Sequence, residues 1–205
     1  MVRKTLLSLL TVGFISFSFA QQANPFLAPE RVNPRINVAV QIAKDLKAKN
    51  YNRIAVVYME TSDLCALFAG ALVASLKTLG VDAYYIKGGE GLEERLMRAN
   101  PSYIYMAYFG DRPHEEVQNQ FNADLRRVLT YAPNMTVILQ PSLVALGFLS
   151  GVYSDERLAR EVEGKKMLSY IVEQGKVFPV VVEFKDLEVR VERQKEQPKK
   201  PQRKR

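Results

Sequence analysis

Apolar runs and helically spaced segments alternate through the middle of the chain. Residues 53–59, 82–86, 103–108, 136–139 and 148–153 are short, rich in Val, Ile, Tyr and Phe, and read as strands. Between them, residues 62–79, 92–99, 115–131 and 155–174 place apolar side chains three and four apart and read as helices, with a short helical turn at 142–146. The first strand, Ile54-Ala55-Val56-Val57-Tyr58-Met59, is apolar on both faces, as a strand in the centre of a parallel sheet must be.

Strands separated by helices require crossover connections. The alternation therefore predicts an α/β fold, a doubly wound and mostly parallel five-stranded sheet with helices on both faces. Gly80 and Gly175 follow helical segments and are expected to end them, while Asp155 is expected to open the last. Residues 178–184 and 187–191 add a short C-terminal strand pair, either a terminal hairpin or an extension onto another surface. A helix over 36–49, with Ile36, Val40, Ala43 and Leu46 on one stripe, covers the entry to the domain.

The ends of the chain differ from this core. Arg3 and Lys4, an apolar run from Leu6 to Phe19 and the small-residue pattern Ser18-Phe19-Ala20 read as a signal peptide, residues 1–20, cleaved after Ala20. That assigns the chain to the periplasm or the exterior. Residues 21–35 hold three prolines without a period and read as an extended leader, so the α/β domain spans 36–192. The net charge of +7 is uneven: residues 193–205 contribute +6 and the signal segment +2, which leaves −1 for 21–192. The basic tail is too polar to fold alone, and it offers weak contact to a polyanion or membrane surface. With no aromatic side chains among its positive ones, it gives no reason to expect nucleic acid. The one cysteine, Cys65, forms no internal disulfide and sits on an apolar helix face, as a buried small hydrophobe would.

In open parallel sheets, ligands gather beyond the carboxyl ends of the strands. Candidate residues there are Glu60, Thr61 and Ser62 after the first strand, Phe109, Gly110 and Asp111 after the third, Gln140 and Ser142 after the fourth, and Ser154 after the fifth. Thr61 and Ser62 have two readings, helix capping and ligand binding, and free N–H groups at a helix start serve both. Gly88-Gly89-Glu90-Gly91 lacks the spacing and the Lys-Ser/Thr of a phosphate loop and reads as a flexible turn. His114 stands among Asp111, Glu115 and Glu116, but there is no second histidine and no metal-ligand spacing, so neither metal nor cofactor is expected. Neither Ser142 nor Ser154 sits in a G-x-S-x-G elbow, and an enzyme is not expected.

NRIAVVY (52–58), LGVDA (79–83), PSYIYMAYFGD (101–111), LSGVYSD (149–155) and QGKVFPV (174–180) occur in an order that resembles the substrate-binding proteins of ABC transporters with the type 1 periplasmic-binding fold. The resemblance covers residues 50–185 and follows patterns of fold more than signatures of chemistry. Such proteins clamp a ligand between two lobes, whereas this chain has the length of one, so closure would need a second copy, as a homodimer, or another partner. The resemblance implies a cleft lined by Tyr58, Glu60, Thr61, Ser62, Gly110, Asp111, Gln140, Ser142 and Ser154, with Phe109 adding apolar contact alongside Tyr58. The function expected is non-enzymatic binding of a small molecule or envelope protein partner, within an ABC transport or sensing system. The alternative is a cell-envelope interaction or assembly subunit that binds no small ligand.

Overall fold

A computed structural model describes residues 27–194. The expected signal peptide, residues 21–26 of the expected leader and residues 195–205 of the basic tail lie outside these residues.

Five parallel strands form the centre: β1 (Arg53–Tyr58), β2 (Asp82–Lys87), β3 (Tyr103–Ala107), β4 (Thr136–Leu139) and β5 (Lys166–Glu173). Two further strands, β6 (Lys176–Lys185) and β7 (Glu188–Arg193), continue the same sheet antiparallel, giving the order β2-β1-β3-β4-β5-β6-β7. The helices are α1 (Pro29–Ala48), α2 (Asp63–Thr78), α3 (Leu92–Ala99), α4 (His114–Tyr131), α5 (Pro141–Ala145) and α6 (Glu156–Val162). Strand order reverses once, between the neighbours β1 and β3. Right-handed crossovers then place α2 on one face, where α1 packs against it, and α3, α4 and α6 on the other.

Local chemistry fixes the boundaries. Ser62 caps α2, its Oγ accepting from the Cys65 amide at 3.1 Å. The same helix closes in a Schellman turn: Gly80, at φ +73°, donates to the Lys77 carbonyl, and Val81 donates to that of Leu76. Asp155 caps α6 by accepting from the amides of Arg157 and Leu158 at 3.0 Å. The Leu158 bond, helped by Arg126, holds the Asp155 carboxyl below its ordinary range.

The fifth strand is not the one the sequence predicted. Residues 148–153 do not pair: Phe148, Leu149 and Val152 are buried at helical spacing and Ser150–Ser154 form a 3₁₀ turn. Phe148 instead stacks on His114, ring centroids 4.2 Å apart. The helix expected over 155–174 ends at Val162, because Gly164 turns left-handed at φ +74°, and Lys166–Glu173 becomes β5. Leu158 with Val162, and Met167 and Leu168 with Ile171, stand three or four apart as in a helix, but residues 167–170 are buried consecutively, as in a strand covered on both faces. Gly175 accordingly ends no helix; Gln174 and Gly175, at φ +50° and +74°, make the two-residue turn joining β5 to β6.

The expected leader is also shorter. Helix α1 begins at Pro29, so residues 29–35 are helical, and Arg193 belongs to β7 rather than to the tail. Gln41 ties α1 to the β5–β6 turn, donating to the Gly175 carbonyl at 2.8 Å and accepting from the Val177 amide at 3.2 Å. The Tyr170 hydroxyl donates to Asp45 on the same helix at 2.9 Å. No described helix is long and apolar enough to cross a membrane.

Candidate functional site

The crevice between the carboxyl ends of β1 and β3, where strand order reverses, is the usual ligand position in such sheets. Here the chain's own hydrogen bonds fill it. Buried Ser62 donates to Asp111 Oδ1 at 2.6 Å while capping α2. The Cys65 thiol donates to the Phe109 carbonyl at 2.7 Å and its sulfur accepts from the Phe109 amide at 3.2 Å. Burial pushes that thiol up to about 11, which leaves it protonated at neutral pH and unsuited to nucleophilic work. Gly110, at φ +137°, passes so close that a Cβ there would lie 2.8 Å from Ser62 Oγ.

Ser62 is thus committed to capping and to Asp111. Ser62→Ala is expected to lose about 1–2 kcal/mol of unfolding free energy in urea, the cost of an N-cap, with no loss of ligand affinity. Weakened binding at unchanged stability would contradict this assignment.

Beside this closed crevice lies an open cavity of about 570 Å³. Its floor is the carboxyl ends of β3, β4 and β5, its walls are α5 and the first half of α1, and Phe68 of α2 closes the back. Four residues expected from the sequence line it: Phe109, Gly110, Gln140 and Ser142. Phe109 packs edge-on to Phe68 at 5.7 Å, and the Arg35 guanidinium lies over the Phe109 ring, 5.6 Å from its centroid. Gln140 is 4 % exposed, and its Oε1 accepts from the Tyr105 hydroxyl at 2.5 Å. Tyr105 is wholly buried, which keeps its hydroxyl protonated and a donor, and so fixes which end of the amide faces it. Among the described residues the Gln140 Nε2 group has no partner, and it stands at the cavity wall.

A smaller polar cleft of about 290 Å³ includes Glu60 and Thr61 with Lys87, Gly88, Gly89, Arg95 and Gln120. Glu90 lines it as well; Lys87 is ion-paired with Glu60, and Arg95 donates to the carbonyls of Lys87, Gly88 and Glu90. Thr61 donates to Glu116 at 3.3 Å. The remaining expected residues line neither space. Tyr58 is buried and stacked on Tyr85 at 4.1 Å, Asp111 is held by Ser62, and the Ser154 hydroxyl donates to the Gly151 carbonyl at 2.7 Å. Gly88-Gly89 is not a flexible turn; the Gly89 amide is pinned at 3.0 Å to buried Asp124. Among the described residues no cluster of His, Cys, Asp and Glu could hold a metal.

Sequence reasoning missed Arg35 and Val38, which fell in or near the assumed leader, and Ile171, Val172 and Glu173, which were assigned to a helix. The Gln174-Gly175 pair after an apolar run was the available signal that a strand ended there.

Five parallel strands in the order 2-1-3-4-5, helices on both faces and an antiparallel terminal pair define a type 1 periplasmic-binding-like lobe. The solved structure of a candidate branched-chain amino acid ABC transporter from Rhodospirillum rubrum has this fold, with a TM-score of 0.50 and 15% identity. It matches 68% of this chain and 41% of its own length. Haemophilus influenzae LpoA aligns at a TM-score of 0.47 and 9% identity over 77% of this chain and 38% of its own. The chain thus spans about two fifths of these structures. It belongs to a family described as "Uncharacterized protein", whose model matches residues 31–204. A relative from Aquifex aeolicus (strain VF5), with the same description, is 39% identical over 181 residues, 85% of either chain.

Proposed function

We propose that this protein is an exported, non-enzymatic binding lobe that takes a small ligand in the cavity at the carboxyl ends of β3, β4 and β5, as part of a transport or sensing system. The observation that carries the proposal is the cavity itself: about 570 Å³, within the range of ligand sites, with a buried amide at its wall that has a donor to spare. Apolar walls with a few fixed polar groups are the general composition of such sites. The fold by itself would support many functions. Export rests on the pattern of residues 1–20.

The test is a thermal-shift screen of the full chain against amino acids, organic anions, sugars and fatty acids. A ligand that binds only the folded state raises the midpoint with its concentration, and at about 100 times Kd it adds about 2.7 kcal/mol. A concentration-dependent rise that Gln140→Leu abolishes is the expected result; a flat response across the whole set would refute small-ligand binding.

One observation favours a second reading, an envelope protein partner seated on the same rim. Leu146 and Val172 line the cavity yet stay 58% and 44% exposed, so its edge presents apolar surface to the outside. In that case Leu146→Arg abolishes co-purification of the partner while the thermal screen stays flat.

A further inference from the structure

We infer that the cavity selects a hydrophobic monocarboxylate, an alkyl or aryl acid, over a zwitterionic amino acid. This rests on the proposed binding function and specifies its ligand. The walls supply apolar contact through Phe109, Val38, Ile171 and Val172. The charged groups among the lining residues are Arg35 and Glu173. They are not equivalent, because Glu173 is ion-paired through Oε1 with Arg193 of β7, a pair without net charge, whereas Arg35 adds a charge of its own.

Arg35 projects from α1 over Phe109, and one of its nitrogens donates to the Arg31 carbonyl one turn back. A guanidinium carries five donors, so most remain for a ligand. Partial burial and the neighbouring Arg31 both press against its charge, with Asp111 as a partial offset. An anion arriving beside it would relieve that pressure. The Gln140 amide adds a donor at the inner wall. Both polar fixtures therefore donate, and both suit a carboxylate.

An amino acid carries an ammonium as well, whose three N–H groups need acceptors once they leave water. The cavity gives them little. Glu173 stands half-exposed at the rim with Oε1 already paired to Arg193, Asp111 is held by Ser62 and does not line the space, and the Gln140 oxygen is taken by Tyr105. The Ser142 hydroxyl, set against the Tyr108 carbonyl at 3.5 Å, is a single neutral acceptor.

Isothermal titration of the full chain with decanoate, decanamide and leucine, each below its aggregation concentration, separates the alternatives. Decanoate is expected to bind about tenfold more tightly than decanamide, the effect of one charge-assisted contact, and leucine to bind neither detectably nor in competition. Arg35→Gln should weaken decanoate about tenfold and leave decanamide within about twofold, with an unchanged melting temperature showing that the fold is intact. Equal affinities for decanoate and decanamide, an unaffected decanoate affinity in Arg35→Gln, or tighter binding of leucine would each overturn the carboxylate assignment while leaving the cavity a binding site. Silence toward all three, joined to a flat screen, would overturn the binding function as well.

Discussion

Asp124→Ala is expected to destabilise the fold by about 3–5 kcal/mol, measured as the change in unfolding free energy in urea. Asp124 is completely buried on α4, and four donors converge on its carboxylate. These are the Tyr108 hydroxyl at 2.6 Å, Gln120 Nε2 at 2.6 Å, Arg127 Nη1 at 2.7 Å and the Gly89 amide at 3.0 Å. A lone buried charge would be costly, and here Arg127 and three hydrogen bonds offset that cost. Removing the acceptor strands the Tyr108 hydroxyl, which is itself fully buried and kept protonated both by that burial and by the carboxylate beside it. Asp124→Asn retains the shape and one acceptor oxygen, so it should cost about half as much. A loss under about 1 kcal/mol for the alanine variant would mean that water replaces the carboxylate, against the closed packing described above.

Gly88→Ala is expected to cost about 3 kcal/mol or more in the same measurement, at the upper end of overpacking effects. The reason is space. An added Cβ would lie 2.4 Å from Tyr108 Oη, 2.5 Å from Asp124 Oδ2 and 3.1 Å from the Tyr58 carbonyl. Its neighbour gives the control: Gly89 adopts φ +82°, but a Cβ there would come no nearer than 3.7 Å to Gln120 Nε2. Gly89→Ala should therefore cost about 1–2 kcal/mol, the backbone term alone. If Gly89→Ala proved the more damaging of the two, the close approach of β2's end to Tyr108 and Asp124 would be wrong.

Most of the scaffold was legible in the sequence because its inner strands are buried on both faces and flanked by helices of ordinary period. Ile54-Ala55-Val56-Val57 and Ile104-Tyr105-Met106-Ala107 can be little other than central strands. The failure over β5 has a physical cause. In residues 155–174 the apolar positions satisfy helical spacing and also form a consecutive buried run, and periodicity cannot choose between these. What decided the matter were Gly164 and the Gln174-Gly175 turn, local backbone signals outweighed by a longer pattern.

That error carried into the site. Taking β5 for helix removed the strand whose end forms one cavity wall, and taking residues 29–35 for leader removed Arg35 from the other. Residues at the ends of β3 and β4 were placed at the carboxyl edge of the sheet, and Phe109, Gly110, Gln140 and Ser142 line one cavity. Ser62 lay at the same edge, but whether its hydroxyl faced a ligand or Asp111 depends on a contact between residues 49 positions apart, which no local pattern encodes.

The Gln41 clasp joins a helix formed early in the chain to a turn 134 residues later. The α1 and β5 sides of the pocket are therefore held together by a contact of high sequence separation, the kind whose loop-closure entropy slows folding.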